Sequence, residues 1–416
     1  MTIDIGIGQG TQPLQIADDN LLQVLRANEV SHEPDAEKEV RRSLEEPIGS
    51  PRLREIVHPG EKIAIITSDV SRPMPTRDVM GPLLDELYAA GCKKEDITLV
   101  FALGSHRAQT EEEKKKLAGE RAYAEITCID SDPDDVVHLG DTAHGTPIDI
   151  FRPVAQADRR ICLGNIEYHY FAGYSGGIKA VFPGCSTRHA IQANHSMMVE
   201  DAACAGNLVR NPVRDDLEEV QKHLKVDFII NVVLDEHKHI VRSFAGDIGQ
   251  AHREGCKFLD TMYLVEIPER ADIVVVSQGG APKDLNLYQT QKALDNAKHA
   301  IADGGVIVLV GSCREGLGEK TFEEWLTQAS TPDELIGRVM TDFKLGGHKA
   351  AAIAMVLKKA EIFLVSDMED DFVRSLFMTP YATVQQAYDA ALAKKGKDAK
   401  VIVMPYGGST LPRCKD

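Results

Sequence analysis

The chain has 416 residues, of which 43% are hydrophobic, and this length and composition are typical of a globular enzyme with two or three domains. Lys and Arg total 47 against 64 Asp and Glu, so a net charge of -17 disfavours broad binding to nucleic acid or to an anionic membrane. The eight cysteines lack CxxC spacing and no stretch reaches about eighteen apolar residues, which predicts reduced thiols and a soluble, cytoplasmic protein.

Short apolar runs alternate with helix-like patterns, which predicts α/β domains built on parallel sheets with crossover helices. In the first part of the chain the candidate strands are 62–67, 97–102, 160–164 and 228–234. Asp69 and Arg72 follow the first of these strands, His106 follows the second, and His169 follows the third. Open α/β sheets bind ligands at the carboxyl ends of their strands, so these residues are expected to share a site.

Glycines, histidines and one lysine are concentrated in the segment 167–198, EYHYFAGYSGGIKAVFPGCSTRHAIQANHSMM. The glycines allow a backbone that wraps a bulky ligand and directs amides at an anion, so Ser175, Gly176 and Gly177 are predicted to bind a cofactor. Lys179 precedes an apolar stretch that can desolvate its amine, which makes this lysine a candidate nucleophile or covalent attachment point.

A helix is predicted after this glycine-rich loop, with Ser186 as its N-cap. The helix carries His189 and His195, whose six-residue separation places them on different faces, and only one of them is expected to face the loop. Each feature alone has an ordinary structural explanation, since glycine-rich turns usually only connect a strand to a helix. Their combination in one short segment indicates a cofactor site.

A second series of buried-strand patterns begins near residue 270 and predicts a smaller, Rossmann-like domain. Its members are 271–280 (ADIVVVSQGG), 305–313 (GVIVLVGSC), 360–367 (AEIFLVSD) and 400–408 (KVIVMPYGG). The predicted ranges are 1–268 for a larger N-terminal cofactor and catalytic domain, 269–405 for the C-terminal domain, and 406–416 for a tail returning to the first domain. A hinge is predicted at 265–271, and the active site is expected in the interdomain cleft.

The segment 167–198 resembles the cofactor motif of the nickel-pincer lactate racemase family. His169 precedes Lys179 by ten positions, and His195 follows Lys179 by sixteen. The resemblance implies a mononucleotide of the pyridinium-3,5-dithiocarboxylic acid type that holds nickel as a pincer complex, with Lys179 carrying it through a thioamide link and His195 ligating the metal. Two sulfurs, a ring carbon and an imidazole nitrogen suit the square-planar preference of nickel.

Three further motifs resemble this family in the same order along the chain: SDVSRP (68–73), GSHR (104–107) and LNLYQTQK (285–292). The resemblance and the side-chain chemistry together predict the substrate-binding residues Arg72, Asp69, Tyr288, Gln289 and Lys292. Arg72 offers a bidentate fork for a carboxylate, and Lys292 shares a helix face with Gln289 three residues earlier. Asp69 is expected to orient Arg72 or a nearby hydroxyl, and Tyr288 either lines the pocket or is a core aromatic.

The implied activity is that of an isomerase, the racemisation or epimerisation of a lactate-like or larger 2-hydroxy acid. Removing the C2 hydrogen as a proton would place a carbanion beside the carboxylate, whereas removing it as hydride leaves a planar 2-keto acid, so the hydride route suits this substrate. His106 and His169, on opposite sides of the substrate, would each act as the acid and base for one enantiomer. Separate cofactor-maturation proteins are the implied partners.

Three other interpretations remain open. A nicotinamide-dependent 2-hydroxy acid dehydrogenase fits the strand–helix pattern, but the sequence has no GxGxxG after an early strand. A zinc hydrolase built on His106, His169 and His195 would lack a short-spaced ligand pair such as HExxH. A two-lobed anion-binding protein would have no use for paired histidines and Lys179.

The size of the 2-hydroxy acid is also left open. The lactate enzyme of the family has a tryptophan near its substrate, whereas the only tryptophan here, Trp325, lies in the predicted helix TFEEWLTQ, and the later stretch FKLGGHKAA has none. His348 and Lys349 are therefore either surface residues or contacts of a longer or dicarboxylate substrate.

Overall fold

Strands and helices alternate along most of the chain, as the sequence predicts. The computed structural model describes residues 1–28, 30 and 35–415. The strands within these residues are β1 (Thr2–Ile7), β2 (Gly10–Gln15), β3 (Leu21–Val24), β4 (Ile63–Ser68), β5 (Ile97–Ala102), β6 (Thr127–Asp130), β7 (Val136–Asp141), β8 (Pro147–Phe151), β9 (Arg159–Ile166), β10 (Tyr168–His169), β11 (Gly173–Tyr174), β12 (Phe228–Leu234), β13 (Ile240–Gly246), β14 (Leu264–Ile267), β15 (Ala271–Ser277), β16 (Ile301–Val310), β17 (Ala360–Val365), β18 (Thr379–Tyr381), β19 (Val401–Met404) and β20 (Leu411–Cys414).

The helices are mostly crossover connections between parallel strands. In chain order the described α-helices are α1 (Ala36–Glu45), α2 (Leu53–Ile56), α3 (Thr76–Ala89), α4 (Glu111–Ala118), α5 (Glu120–Glu125), α6 (Arg152–Ala155), α7 (Arg188–Ser196), α8 (Pro212–Glu219), α9 (Ile248–Tyr263), α10 (Leu287–Ala297), α11 (Lys320–Gln328), α12 (Pro332–Thr341), α13 (Gly347–Leu357), α14 (Asp370–Ser375) and α15 (Val384–Lys395). None of these helices is long and apolar enough to cross a membrane.

The first compact unit covers residues 30–261 and is built on a six-stranded sheet of order β13-β12-β9-β4-β5-β6. Its strands are parallel except for β13, which runs antiparallel to β12. The side chains of Ile65 and Ile66, which point to opposite faces of β4, are both fully buried, as expected of a strand covered on both faces. All four predicted strands are confirmed, and β5 and β12 have the predicted bounds.

The order of strands reverses beside β4 in this sheet. From β4 the chain proceeds outward through β5 and β6, and it then returns to the other side of β4 to form β9 and β12. Where the strand order of an open α/β sheet reverses, a crevice opens at the carboxyl ends of the strands. The crevice expected here lies at the ends of β4 and β9.

The second compact unit combines residues 1–29 with 262–416. Its six-stranded sheet, of order β18-β17-β16-β15-β19-β3, is parallel throughout. The four strands predicted near the C-terminus correspond to β15, β16, β17 and β19. Ile5 and Leu14, from the hairpin β1–β2, are buried in the same core as Val275 and Val308 of the sheet.

The predicted domain ranges differ from these units at both ends of the chain. The N-terminal strand β3 pairs with β19, from Leu21 beside Val401 to Val24 beside Val403, so the first residues belong to the second unit. The C-terminal strand β20 pairs in parallel with β14, which places the tail in that unit as well. The predicted hinge, 265–271, includes most of β14, whose backbone is paired with β20.

Candidate active site

Side chains from three neighbouring strands meet at one edge of the first sheet. Asp69 and Arg72 follow β4, His106 follows β5, and His169 lies in β10, directly after β9. Because β9, β4 and β5 are adjacent and parallel, their carboxyl ends lie at the same edge, next to the point where the strand order reverses. The four residues therefore share the edge that the strand pattern predicts.

Asp69 and His106 form a hydrogen-bonded pair at this edge. His106 Nδ1 donates to Asp69 Oδ2 over 2.8 Å, and the Ser71 hydroxyl donates to Asp69 Oδ1 over 2.7 Å. Burial raises the pKa of the Asp69 carboxyl, but the hydrogen bonds from His106 and Ser71 outweigh burial and hold that pKa below its usual value. The carboxylate fixes the proton of the neutral His106 ring on Nδ1 and leaves the lone pair on Nε2.

The hydroxyl that Asp69 orients, as predicted, is that of Ser71. The alternative prediction, a bond from Asp69 to the Arg72 guanidinium, is not observed. The side chain of Arg72 is exposed and forms no hydrogen bond or ion pair with the residues that the structure describes. Arg72 therefore presents a cation to solvent at the same sheet edge.

His169 lies in the short hairpin formed by β10 and β11 and is partly buried. Its Nδ1 accepts the backbone N–H of Ala172 over 3.3 Å, which places the proton of the neutral ring on Nε2. Burial is the main reason that the pKa of His169 lies well below its usual value, and the nearby Lys179 lowers the pKa further. His169 is therefore neutral near pH 7, with its proton on the opposite nitrogen from that of His106.

Lys179 lies in a 3-10 helix, Gly177–Ala180, and is partly buried. Among the described residues, no carboxylate forms an ion pair with its amine. Burial first, and then the guanidinium groups of Arg214 and Arg72, lower the pKa of Lys179 well below its usual value. A lowered pKa increases the fraction of the amine that is neutral and therefore nucleophilic.

The loop before Lys179 is packed tightly against the chain itself. Gly176 has a φ of 77°, and a Cβ atom there would lie 2.8 Å from Asn231 Oδ1, so only glycine fits. The Gly177 N–H donates to the same oxygen over 2.8 Å, and the Ser175 hydroxyl donates to the Asn165 carbonyl over 2.7 Å. The structure thus gives Ser175, Gly176 and Gly177 a part in shaping the loop, and their contact with a cofactor stays a prediction.

The N-cap of α7 is Thr187, and the prediction of Ser186 is wrong. Thr187 Oγ1 accepts the N–H of Ala190 over 3.2 Å, whereas the Ser186 hydroxyl donates to the Asp149 carbonyl over 2.7 Å. Serine and threonine both cap helices well, so two such residues in succession leave the first residue of the helix undetermined from sequence.

The two histidines of α7 have different surroundings. His189 is exposed, whereas His195 is partly buried. The ring centroid of Phe171 lies 4.8 Å from that of His195 and 4.4 Å from that of His169, with both contacts edge-on. One histidine of the helix thus faces the loop, as predicted, and Phe171 lies against both His195 and His169.

Two buried basic side chains that were not predicted from the sequence donate hydrogen bonds to backbone carbonyls of the loop before Lys179. Arg214, on α8, is fully buried, and its guanidinium donates to the carbonyl oxygens of Ala172 and Tyr174. His252, on α9, donates from Nε2 to the Ser175 carbonyl over 2.8 Å. Burial lowers the pKa of Arg214 to about 10 and the pKa of His252 well below its usual value. Arg214 is still charged near pH 7, so a buried cation lies close to Lys179.

The other predicted substrate-binding residues, Tyr288, Gln289 and Lys292, lie on α10 in the second unit. Gln289 and Lys292 are three residues apart on this helix, as predicted. Lys349 Nζ donates to the Tyr288 carbonyl over 2.8 Å and lies 3.9 Å from the centre of its ring. His348 and Lys349 are 6% and 7% exposed, so the interpretation of these two as surface residues is wrong.

Similarity to known proteins extends over nearly the whole chain. Residues 7–206 match the domain described as the lactate racemase N-terminal domain, and residues 267–411 match the lactate racemase C-terminal domain. A lactate racemase from Thermoanaerobacterium thermosaccharolyticum is 32% identical, with 99% of each chain covered. A lactate racemase from Lactiplantibacillus plantarum is 33% identical, with 98% of each chain covered.

Solved structures give the same result for the fold. The lactate racemase apoprotein from Thermoanaerobacterium thermosaccharolyticum superimposes with a TM-score of 0.88 at 31% identity, covering 99% of this chain and 100% of that one. A protein from Thermotoga maritima has a TM-score of 0.61 at 17% identity, covering 93% of this chain and 100% of that one, and shares the fold alone.

Proposed function

The chain belongs to the lactate racemase family and is an isomerase, and we propose that it racemises or epimerises a 2-hydroxy acid with a nickel-pincer nucleotide attached to Lys179. The observation that carries the proposal is the placement of the Lys179 amine, which is partly buried, forms no ion pair with a carboxylate of the described residues and lies near His169. Covalent attachment needs a neutral amine, and burial, which lowers the pKa of Lys179, favours that form.

The residues around Lys179 fit the proposed cofactor, a nucleotide of the pyridinium-3,5-dithiocarboxylic acid type. Arg214 and Arg72 place positive charge beside this amine, which favours an anionic nucleotide. His195 Nδ1 is bonded to Asn194 Oδ1 over 2.9 Å, so the ring proton is on Nδ1 and the Nε2 lone pair can ligate nickel. We therefore propose Lys179 as the attachment point and His195 as the protein ligand to nickel.

When bound, this cofactor supplies a centre that takes the C2 hydrogen of the substrate as hydride and returns it. Loss of the hydride and of the hydroxyl proton converts the 2-hydroxy acid into a planar 2-keto acid, and return of the hydride to the opposite face gives the other enantiomer. His106, oriented by Asp69, has its lone pair on Nε2 and is proposed to accept the hydroxyl proton of one enantiomer. His169 is proposed as the base for the other enantiomer in its second neutral tautomer, with the proton on Nδ1 and the lone pair on Nε2, which requires the 3.3 Å bond from the Ala172 N–H to Nδ1 to break. A ring that has accepted a proton is the acid of the reverse step.

The substrate carboxylate needs a local cation because the chain as a whole carries a net charge of -17. Arg72 is the proposed carboxylate ligand, since its guanidinium is exposed at the sheet edge that holds both proposed bases. Tyr288, Gln289 and Lys292 on α10 are proposed as further substrate-binding residues. Maturation proteins that load the cofactor are the proposed partners, and neither nucleic acid nor a membrane has a proposed role.

Intact-protein mass spectrometry with nickel analysis tests the proposal on chain coexpressed with cofactor-maturation proteins. We expect a mass increase that maps to the peptide containing Lys179, near-stoichiometric nickel, and interconversion of 2-hydroxy acid enantiomers. Lys179→Ala should abolish the adduct, whereas Lys93→Ala, which changes an exposed lysine, should keep it. Racemisation by a chain without adduct or nickel would contradict the proposed cofactor, and turnover only with added nicotinamide would favour a dehydrogenase.

A further inference from the structure

We propose that Asn194 is a positioning residue which, held by Asp216, keeps the ring of His195 in the tautomer that ligates metal. The role of His195 as a metal ligand rests on the proposed function, whereas the tautomer follows from the hydrogen bonds of the chain itself. Three buried polar side chains on α7, α8 and the loop before β8 carry the inference.

The orientation of the Asn194 side-chain amide is fixed by two acceptors. Asn194 is fully buried on α7, and its Nδ2 donates to Asp216 Oδ2 over 2.8 Å and to the Val213 carbonyl over 3.1 Å. A carboxylate oxygen and a carbonyl oxygen can only accept, so the NH2 group must be on this side of the amide. Asn194 Oδ1 must therefore be the atom that faces His195.

The position of the His195 ring proton follows from this orientation. Asn194 Oδ1 lies 2.9 Å from His195 Nδ1, and an amide oxygen has no hydrogen to donate. The bond forms only if Nδ1 carries the proton, and the lone pair of the neutral ring is then on Nε2. Histidine ligands of metals commonly have such a partner on the second nitrogen, and removing the partner weakens metal binding by about 10- to 100-fold.

Asp216 is the acceptor of hydrogen bonds from both Asn194 and Thr142. It is fully buried on α8, and its second oxygen accepts the hydroxyl of Thr142. The hydroxyl is the donor in this pair because a carboxylate oxygen can only accept, and Thr142 Oγ1 also accepts the N–H of Thr146 over 3.1 Å. Both neighbours donate to Asp216, so its carboxylate, together with the Val213 carbonyl, fixes the orientation of Asn194 and thereby the tautomer of His195.

The tautomer can be measured on the cofactor-free chain by two-bond 1H–15N correlation spectra of 15N-histidine-labelled protein, with His195 assigned by the signal missing from His195→Gln. We expect a protonated, pyrrole-type Nδ1 and a pyridine-type Nε2 at His195. Exposed His189 serves as an internal reference for a ring without this network. A protonated Nε2 with a pyridine-type Nδ1 at His195 in the unaltered chain would overturn the inference, whatever the variants do.

Asp216→Asn tests the origin of the orientation with almost no change in shape. The new amide can donate to Asn194 Oδ1, which lets the Asn194 amide turn its NH2 group towards His195 Nδ1 with loss of its bond to the Val213 carbonyl. We expect the reversed His195 tautomer to appear in the spectrum, and the cofactor-loaded variant to retain nickel about 10- to 100-fold more weakly against a chelator. Asp215→Asn, which changes the exposed neighbour on α8, is the matched control and should alter neither readout.

The two readouts separate this inference from the proposed function. If Asp216→Asn keeps both the tautomer and the nickel retention of the unaltered chain, Asn194 and Asp216 do not position His195 and the inference fails while the proposed function stands. If the tautomer reverses but even the unaltered chain holds no nickel after coexpression, the network is correct and the proposed cofactor is wrong. Should Asp216→Asn not fold, the unaltered chain's spectrum still decides the tautomer.

Discussion

Replacing Asp69 with asparagine is expected to slow racemisation roughly 10- to 150-fold without changing the fold or the attachment of the cofactor. Asp69 Oδ2 accepts from His106 Nδ1 over 2.8 Å, and a hydrogen bond to a charged group contributes about 1.5–3 kcal/mol. Each 1.36 kcal/mol is a factor of about ten in rate, which gives this range if the bond is formed fully in the transition state. An amide can also present its NH2 group to Nδ1, which would move the ring proton of His106 to Nε2 and remove the base.

The assay is kcat for both directions of racemisation with cofactor-loaded protein at equal nickel content. Ser71→Ala removes the hydroxyl that donates to the other oxygen, Asp69 Oδ1, and should slow kcat less than Asp69→Asn does, because the bond from His106 to Oδ2 remains. Asp235→Asn is the control, because it changes an Asp–His pair of 3.1 Å in an exposed turn and should leave kcat unchanged. An Asp69→Asn enzyme as fast as the unaltered enzyme would refute the argument that Asp69 orients the base.

Two further predictions concern stability. Gly176→Ala and Gly145→Ala both force a non-glycine residue to a φ of 77° or 78°, but the new Cβ meets Asn231 only at Gly176 and has nothing within 4 Å at Gly145. Urea unfolding should therefore give a free energy of unfolding about 1–3 kcal/mol lower for Gly176→Ala than for Gly145→Ala, and equal losses would mean that the contact with Asn231 does not matter. Burial lowers the pKa of His299 to about 3, so below the unfolded pKa of about 6.5 the unfolded chain binds a proton that the folded chain does not. Well above pH 6.5 this difference in proton binding does not lower the free energy of unfolding. Between pH 7 and pH 5 it lowers the free energy of unfolding by about 2 kcal/mol. Unfolding curves at the two values should show a smaller loss in His299→Gln, and an unchanged loss would assign the acid sensitivity to other groups.

The strands that position the site could be predicted because buried parallel strands give continuous apolar runs in the sequence. The bounds of β5 and β12 were readable for this reason, and the polar residues directly after β4, β5 and β9 were then placed at one edge. The pairing of β3 with β19 could not be predicted, because the two strands lie near opposite ends of the chain. The sequence of β3, LLQV, does not indicate which strand it pairs with. The first residues consequently belong to a different unit from the one predicted.

The hydrogen bonds from Arg214 to the loop before Lys179 could not be predicted from the sequence, for a different reason. Arg214 follows Val213 and precedes Leu217 on the buried face of α8, so the only signal was a charged residue among apolar positions of a helix. Its acceptors are backbone carbonyls about forty positions earlier, which sequence does not mark. The contact of Gly176 with Asn231 was hidden in the same way, since no local pattern links two positions so far apart in the chain.

Turnover of a 2-hydroxy acid deuterated at C2, in ordinary water with cofactor-loaded protein, tests the central claim most directly. Starting from one enantiomer, the proposed hydride route predicts that the opposite enantiomer forms with its C2 deuterium retained, because the hydrogen leaves and returns without exchange with solvent. His106→Ala and His169→Ala should each block this conversion while nickel stays bound. Loss of the deuterium to water at the rate of racemisation would show removal of a proton from C2, and would contradict both the hydride route and the roles given to the two histidines.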